Sequence, residues 1–239
     1  MKILKDGYGK DLESVQYWLQ NRTKLSELYK SERHFFTDTL QLCGEVLDLG
    51  CAAGGSALFS REVKQEISYT GIDVSLDLVN AAKKHLGGLP NTEFLHFDGI
   101  TIPLKSSSVD LIFSFGVFHH LIDWKELLFE ALRVSKKYIL FDVRVWHHES
   151  MINSNLSYQK LALGGSWDGE SILPYNIFSF NSLGELSKQL NAKGISFKAY
   201  GYYQKPTSLA ITPASEVLML SILLEKDAEL PSCELVIDA

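Results

Sequence analysis

From Glu45 onward the chain alternates between two hydrophobic periods. Apolar runs of strand length are separated by stretches in which apolar residues recur every three or four positions. The first run is Glu45–Leu49, and a helix is predicted from about Gly55 to Lys64. The second is Ser68–Ile72, closed by Asp73. Ser75 then stands as the N-cap of a helix over Leu76, Leu78, Val79 and Ala82 that stops near Gly87-Gly88. Thr92–Phe97 predicts a third strand, ended by Asp98-Gly99. Val109–Phe115 predicts a fourth, with a turn or helix onset at Phe118–Leu121. A helix over Trp124–Val134 leads into a fifth strand, Tyr138–Val145. Strands alternating with helices predict a parallel, doubly wound α/β sheet with right-handed crossovers.

The flanks carry weaker patterns. Asp11 to Leu42 reads as helical, with Leu12, Val15, Leu19, Leu25 and Leu28 at three- and four-residue steps and Phe35, Phe36 and Leu40 beyond. Lying ahead of the first strand, it is extra to the βαβ alternation. It either covers a sheet edge or lies over a ligand as a lid, with Tyr17, Trp18, Arg22 or Arg33 reaching in. From Trp146 to Phe180 the pattern dissolves. Gly164-Gly165, Gly169 and Pro174 punctuate a stretch that holds Trp146, Tyr158, Trp167, Tyr175 and Phe178, and a long irregular segment inside a compact domain tends to be functional. A helix started by Ser182 runs through Leu183, Leu186 and Leu190 to Gly194. Two strand-like runs, Ile195–Tyr203 and Glu216–Leu224, are joined by a linker with Pro206 and Pro213, and the acidic tail after Glu225 is expected to fray.

At 239 residues the chain suits one α/β domain. A net charge of −6 without a sustained Lys/Arg stripe speaks against broad nucleic-acid binding. No apolar run reaches the length of a membrane span, and Met1–Gly7 lacks the apolar core of a signal peptide. Cys43, Cys51 and Cys233 are odd in number and have no zinc-like spacing. They read as free thiols in a reducing compartment, so a cytoplasmic protein is expected, with no metal site.

The chemistry concentrates in Val46-Leu47-Asp48-Leu49-Gly50-Cys51-Ala52-Ala53-Gly54-Gly55-Ser56, a strand, a glycine-rich turn and a helix start. Such a turn lets backbone N–H groups approach a ligand and adds the positive end of a helix dipole. Asp48, Asp73 and Asp98 each fall at or near the carboxyl end of a successive strand, where open α/β sheets bind ligands. An acid closing the second strand commonly holds two ribose hydroxyls. Asp48 beside the turn would repel a pyrophosphate and attract an ammonium or sulfonium, and the spacing departs from the dinucleotide G-x-G-x-x-G pattern.

These residues resemble the class I S-adenosylmethionine-dependent methyltransferases, small-molecule branch. The first motif is similar to D-x-G-x-G-x-G with Ala52 in place of the middle glycine. Tyr69–Ser75 resembles the second motif, whose acid holds the ribose, and Phe97-Asp98-Gly99 the third, whose acid meets the adenine amino group. Val109–Leu121 resembles the fourth-strand motif. The resemblance implies a Rossmann-like, doubly wound, mostly parallel seven-stranded sheet with an antiparallel last strand, N-terminal helices and a cap segment. It divides a single domain into a lid (1–43), a cofactor-binding core (44–145), an acceptor-side cap (146–180) and a final helix with a strand pair (181–239). It implies S-adenosylmethionine as cofactor and S-adenosylhomocysteine as product, with Asp48, Gly50, Cys51, Ala52, Gly54, Asp73, Val74, Asp98, Gly99 and Phe115 binding it. The implied activity is methyl transfer to an O or N atom of a small-molecule acceptor.

Candidate bases at the strand ends are His119 first, then His120 and His147, with His148 beside it; for each the alternative is a packed or solvated ring. Aromatic rings of the 146–180 segment would shape an apolar, sugar-like or cationic acceptor pocket. Rival subclasses are argued down by what stands in their motif positions. Ser114-Phe115-Gly116-Val117 replaces the Asp/Asn-Pro-Pro-aromatic run of base amino-methylases, no Pro-Cys nucleophile occurs, and Asp142 stands alone in its strand without an evident metal-binding partner. Three other readings stand beside it: a non-catalytic cofactor-binding subunit, an NAD-type oxidoreductase on a related fold, against which Asp48 beside the glycine turn argues, and a methyltransferase acting on RNA or protein. Oligomeric state is not legible.

Overall fold

The computed structural model describes residues 2–3, 12–162 and 167–238. The Gly164-Gly165 punctuation, Asp11 and most of the Met1–Gly7 stretch lie outside them. In chain order the elements begin with β1 (Lys2–Ile3), α1 (Leu12–Gln20), α2 (Lys30–Gln41), β2 (Glu45–Leu49) and α3 (Ser56–Val63). They continue through β3 (Ser68–Asp73), α4 (Leu76–Leu86), β4 (Thr92–His96), β5 (Val109–Ser114), α5 (Trp124–Val134) and β6 (Ser135–Trp146). The C-terminal part adds β7 (Tyr158–Lys160), β8 (Ser171–Pro174), β9 (Ile177–Ser179), α6 (Phe180–Asn191), β10 (Ser196–Gln204), β11 (Ala210–Ile211), β12 (Val217–Glu225) and β13 (Cys233–Asp238).

The main sheet runs β13-β10-β12-β6-β5-β2-β3-β4, with β9 added parallel to the end of β6. Its seven-stranded centre, β10 to β4, is the expected mostly parallel sheet, and β12 runs antiparallel to both neighbours. Side chains on a strand alternate between faces, and the sequence uses that alternation to build two cores. Leu47, Ile112, Ile139 and Phe141 face one layer, where α5 and α6 pack. Val46, Leu111, Phe113 and Leu140 face the other, with α2, α3 and α4. Phe36 of α2 is fully buried there, its ring 5.5 Å from Phe59, 5.1 Å from Phe113 and 5.6 Å from Phe115.

Four expectations need revision. The helical stretch from Asp11 is broken between Asn21 and Tyr29. Arg22 takes a left-handed backbone (φ 57°), and the Glu27 carboxylate collects the N–H groups of Thr23 (2.7 Å) and Lys24 (3.2 Å), closing a short 3-10 turn over Leu25–Glu27. The 146–180 segment is irregular only in part, since it contributes β7, β8 and β9. β1, β8, β7 and β11 form a second small sheet through ladders of two or three residues, too short for a period to register. The acidic tail does not fray. β13 pairs in parallel with β10, and Asp238 is fixed by the Tyr200 hydroxyl (2.9 Å) and by Lys30. The last helix also starts two residues early, capped by Ser179, whose hydroxyl accepts the Ser182 N–H.

Truncating Phe36 to alanine removes the ring that ties α2 to the sheet beneath the ligand loop. We expect Phe36→Ala to lower unfolding free energy by about 3–5 kcal/mol in chemical denaturation; a loss below about 1 kcal/mol would mean the helix is held by other contacts.

Candidate functional site

β2 ends at Leu49 and the chain turns back over the sheet within a few residues. Gly50 and Cys51 both donate their N–H to the Ile72 carbonyl (2.8 and 3.0 Å), and Gly54 donates to Cys51 (2.8 Å), so the turn is tied to β3 and to itself. Gly50 is required twice over. Its φ is +87°, and a Cβ there would lie 2.4 Å from Val117. At Gly55 a Cβ would meet the Arg22 carbonyl at 2.6 Å, so the residues between α1 and α2 rest directly on the glycine turn. Ala52 sits in the left-handed region (φ 47°) where the family pattern has glycine, and its N–H is engaged by the Asp73 carboxylate at 2.9 Å.

The turn opens into a cavity of about 680 Å³. Asp48, Gly50, Cys51, Ala52, Asp73, Val74, Asp98, Gly99 and Phe115 line it, as do His119 and His120. Gly54 does not; a Cβ there would meet the Phe94 ring at 2.6 Å, so this glycine serves the packing of the loop on β4. His147 and His148 stand exposed beyond β6, and Arg33 is exposed on α2, so none of the three reaches the cavity. Tyr17, Trp18 and Arg22 do reach it. The rings of Trp146, Tyr158, Trp167, Tyr175 and Phe178 are absent from its walls. The 146–180 segment contributes Gln159, Leu173 and Pro174 instead, while the aromatic wall comes from Tyr17, Trp18, Tyr29, Phe59, Phe97, Phe113 and Phe115.

The three strand-end acids differ in state. Asp48 is buried, accepting hydrogen bonds from the Tyr69 hydroxyl (2.6 Å) and from Ser56. Burial pushes its carboxyl up to about 6 against the pull of those two hydroxyls. Asp73 is also raised by burial, with its N–H bonds from Ser75 (2.8 Å) and Ala52 opposing. Asp98 is exposed and held low by the backbone N–H groups of Ile100 (2.8 Å) and Thr101 (2.6 Å), which fold the loop after β4. Burial raises the Cys51 thiol well above its usual range, which makes it inert as a nucleophile.

The short 3-10 turn Phe118–His120 is pinned by the link between β8 and β9. Buried Asn176 donates its backbone N–H to His119 (2.7 Å) and its amide to the Leu121 carbonyl (2.7 Å). The His119 ring is buried, its Nδ1 lacks a partner among the described residues, and burial plus the Arg144 charge push it well below the usual imidazole range. His120 falls to about 4, again by burial, while its Nδ1 pairs with the Pro174 carbonyl (2.6 Å). Both rings are neutral at ordinary pH. Asp142, which looked solitary, is paired with Arg144 two residues on, and its Oδ1 accepts the Gly116 N–H (2.6 Å). Arg144 and Asn176 were not singled out from sequence, and Asp142 was read there only as an acid without a partner. The readable signal was Phe141-Asp142-Val143-Arg144-Val145, an acid and an arginine on one face of an otherwise apolar strand.

Comparison with known proteins agrees with this geometry. Residues 47–139 match the model of a methyltransferase domain. A phthiotriol/phenolphthiotriol dimycocerosates methyltransferase of Mycobacterium tuberculosis is 28% identical over 90 residues, 38% of this chain; the chain covers only 33% of that relative's length. Among solved structures, a SAM-dependent methyltransferase from Methanosarcina mazei is 20% identical with a TM-score of 0.54, covering 85% of this chain and 99% of that one. The [4+2]-cyclase SpnF is 17% identical with a TM-score of 0.52, over 80% and 78% of the two chains. These structural likenesses establish the fold alone. The match to the methyltransferase-domain model thus spans the glycine turn and the first four strands of the βα alternation, and the fold is one shared with a SAM-dependent methyltransferase of known structure.

Proposed function

We propose that this chain is an S-adenosylmethionine-dependent methyltransferase that moves the methyl group to an oxygen or nitrogen of a small-molecule acceptor. The observation that supports it most is the convergence of the glycine turn, three strand-end acids and His119 on one cavity of about 680 Å³. That volume lies within the range of small-molecule sites, about 300–1,000 Å³.

The chain's own groups suit the cofactor. Asp73 binds one backbone N–H at each carboxylate oxygen, which leaves acceptor capacity on both for two ribose hydroxyls. Val74, Leu78 and Ile100 would give an adenine ring apolar surface, with Asp98 and Gly99 at its polar edge. Asp48, half-titrated near pH 6 in the free protein, becomes a full carboxylate when an ammonium arrives beside it. Bound there, the cofactor supplies an electrophilic methyl group on a sulfonium. The protein's task is then to hold the acceptor in line and exclude water, which can lower the barrier by about 7–11 kcal/mol. His119, at the end of the fourth strand of the βα alternation, is our candidate for the acceptor's proton. Its depressed basicity suits an acceptor whose proton is already acidic, and puts its contribution near the lower end of the usual range, about 10²-fold.

The direct test incubates the full chain with isotopically labelled S-adenosylmethionine and a metabolite extract, read by mass spectrometry. A labelled small molecule supports the reading; cofactor binding without any labelled product would favour a non-catalytic subunit. Asp73→Ala should weaken S-adenosylhomocysteine binding about 10- to 100-fold by calorimetry, the scale of a charge-assisted contact. Unchanged affinity would sink the ribose assignment. His119→Ala should cut turnover about 10²-fold with cofactor affinity nearly intact; full activity would remove the ring from the mechanism.

The raised Asp48 carboxyl also sets a pH dependence. Its stabilising contribution is present below about 3.8 and lost as pH rises through about 6, so the free protein carries a strained charge at neutral pH. A cationic ligand relieves that charge. S-adenosylhomocysteine affinity should therefore rise from pH 5 to 7 with release of a proton, and Asp48→Asn should flatten the profile. A flat profile in the wild type would contradict the role given to Asp48.

A further inference from the structure

The main sheet ends in β13, a strand left open on both faces. Cys233 to Ile237 are all exposed, with Leu235 at 48%, Val236 at 56% and Ile237 at 40%. At the other edge of the sheet β4 buries Phe94 and sets Glu93 and His96 outside. Edge strands are commonly kept from pairing with another chain by lysine, proline or a bulge. β13 contains no lysine or proline, and its register with β10 runs unbroken from Cys233 to Asp238.

The ladder to β10 fixes which backbone groups point away from the sheet. Phe197 donates its N–H to the Ser232 carbonyl at 2.8 Å and stands opposite Cys233. In a parallel pair this turns the N–H and C=O of Glu234 and Val236 toward β10, and those of Cys233, Leu235 and Ile237 outward. Another strand can therefore be added only by hydrogen bonding to these three residues. Their side chains share the face on which Phe197 and Ala199 meet Leu186 and Leu190 of α6.

For a second copy added antiparallel about a two-fold axis, charge and proline select one register. An axis at Val236 sets Glu234 against Asp238 twice, and one at Glu234 sets that acid against itself. At Cys233 the axis brings Pro231, which has no N–H, opposite Leu235; at Ile237 half of β13 is left unpaired. At Leu235 every outward residue is matched. Leu235 meets Leu235, Cys233 meets Ile237 on either side, and the acids Glu234 and Asp238 meet Val236 and Ser232. Each acid also has a cation within its own copy: Lys198 stands beside Glu234 in register, and Lys30 pairs with Asp238.

We infer that a second copy of this chain covers β13, the two strands pairing antiparallel about an axis at Leu235 so that one sheet runs through both copies. β13 runs in the same direction as the parallel strands, so the two-fold axis points the two cavities to opposite ends of the joined sheet and blocks neither. One strand from each copy makes a small interface, which sets the expected dissociation constant in the micromolar range.

Sedimentation velocity of the full chain over about 1–200 μM should show a monomer–dimer equilibrium. Leu235→Lys sets two cations directly opposite each other and should weaken the dimer about tenfold. The register is read by cysteine cross-linking in a Cys233→Ser background, at exposed positions where folding is not at stake. Leu235→Cys places its two Cα atoms about 5.5 Å apart, within the span of a disulfide, so mild oxidation should give a covalent dimer. Val236→Cys, offset by two residues from its counterpart, should cross-link more slowly. A chain that stays monomeric throughout the range would overturn the inference. So would a dimer indifferent to Leu235→Lys, or faster cross-linking through Val236→Cys than through Leu235→Cys.

Discussion

A buried carboxylate with too little compensation governs this site. Asp48 lies at the end of β2 with only the Tyr69 and Ser56 hydroxyls to hold its charge, next to a turn whose backbone N–H groups are already committed to Ile72 and Asp73. Left alone it is raised toward neutrality; beside a cation it is a strong acceptor. The preference of the turn for a cationic rather than a pyrophosphate ligand follows from this one group. The glycines make room, and the acid decides what enters.

The rest of the molecule keeps that arrangement in place. The two cores on opposite faces of the sheet fix β2, β3 and β5 against one another, and Phe36 and Phe59 stand under the turn on the α2–α3 side. Arg22 closes over Gly55, so the segment between α1 and α2 is part of the site's wall rather than a detached cover. On the far side Asn176 holds the His119 turn, and the pair Asp142–Arg144 ties β6 to the loop after β5.

The βα core was legible because its signals are local. Period-two and period-3.6 patterns, the Ser75 cap and the strand-end acids all act within a few residues, and the elements from Glu45 to Val134 fall close to where those signals put them. What escaped was set by distant partners. The small sheet of β1, β7, β8 and β11 exists only through ladders between segments far apart in sequence, and β13 is held by β10 and by Asp238 contacts that no composition rule contains. At the site the residues of the glycine turn and strand ends were readable, Gly54 excepted, because a motif fixes their geometry. Arg144 and Asn176 were not, since each acts by facing a loop placed by tertiary packing. His147 illustrates the converse: position after a strand end suggested a role, yet the chain leaves the sheet there and carries the ring into solvent.

The ligand class is the point on which everything turns, and a calorimetric competition addresses it most directly. The full chain at pH 7.5 is titrated with S-adenosylhomocysteine and, separately, with NAD. Saturable binding of S-adenosylhomocysteine with no detectable binding of NAD is the expected result. Binding of NAD in its place would show that the turn accepts a pyrophosphate despite Asp48, and would contradict the account at its base.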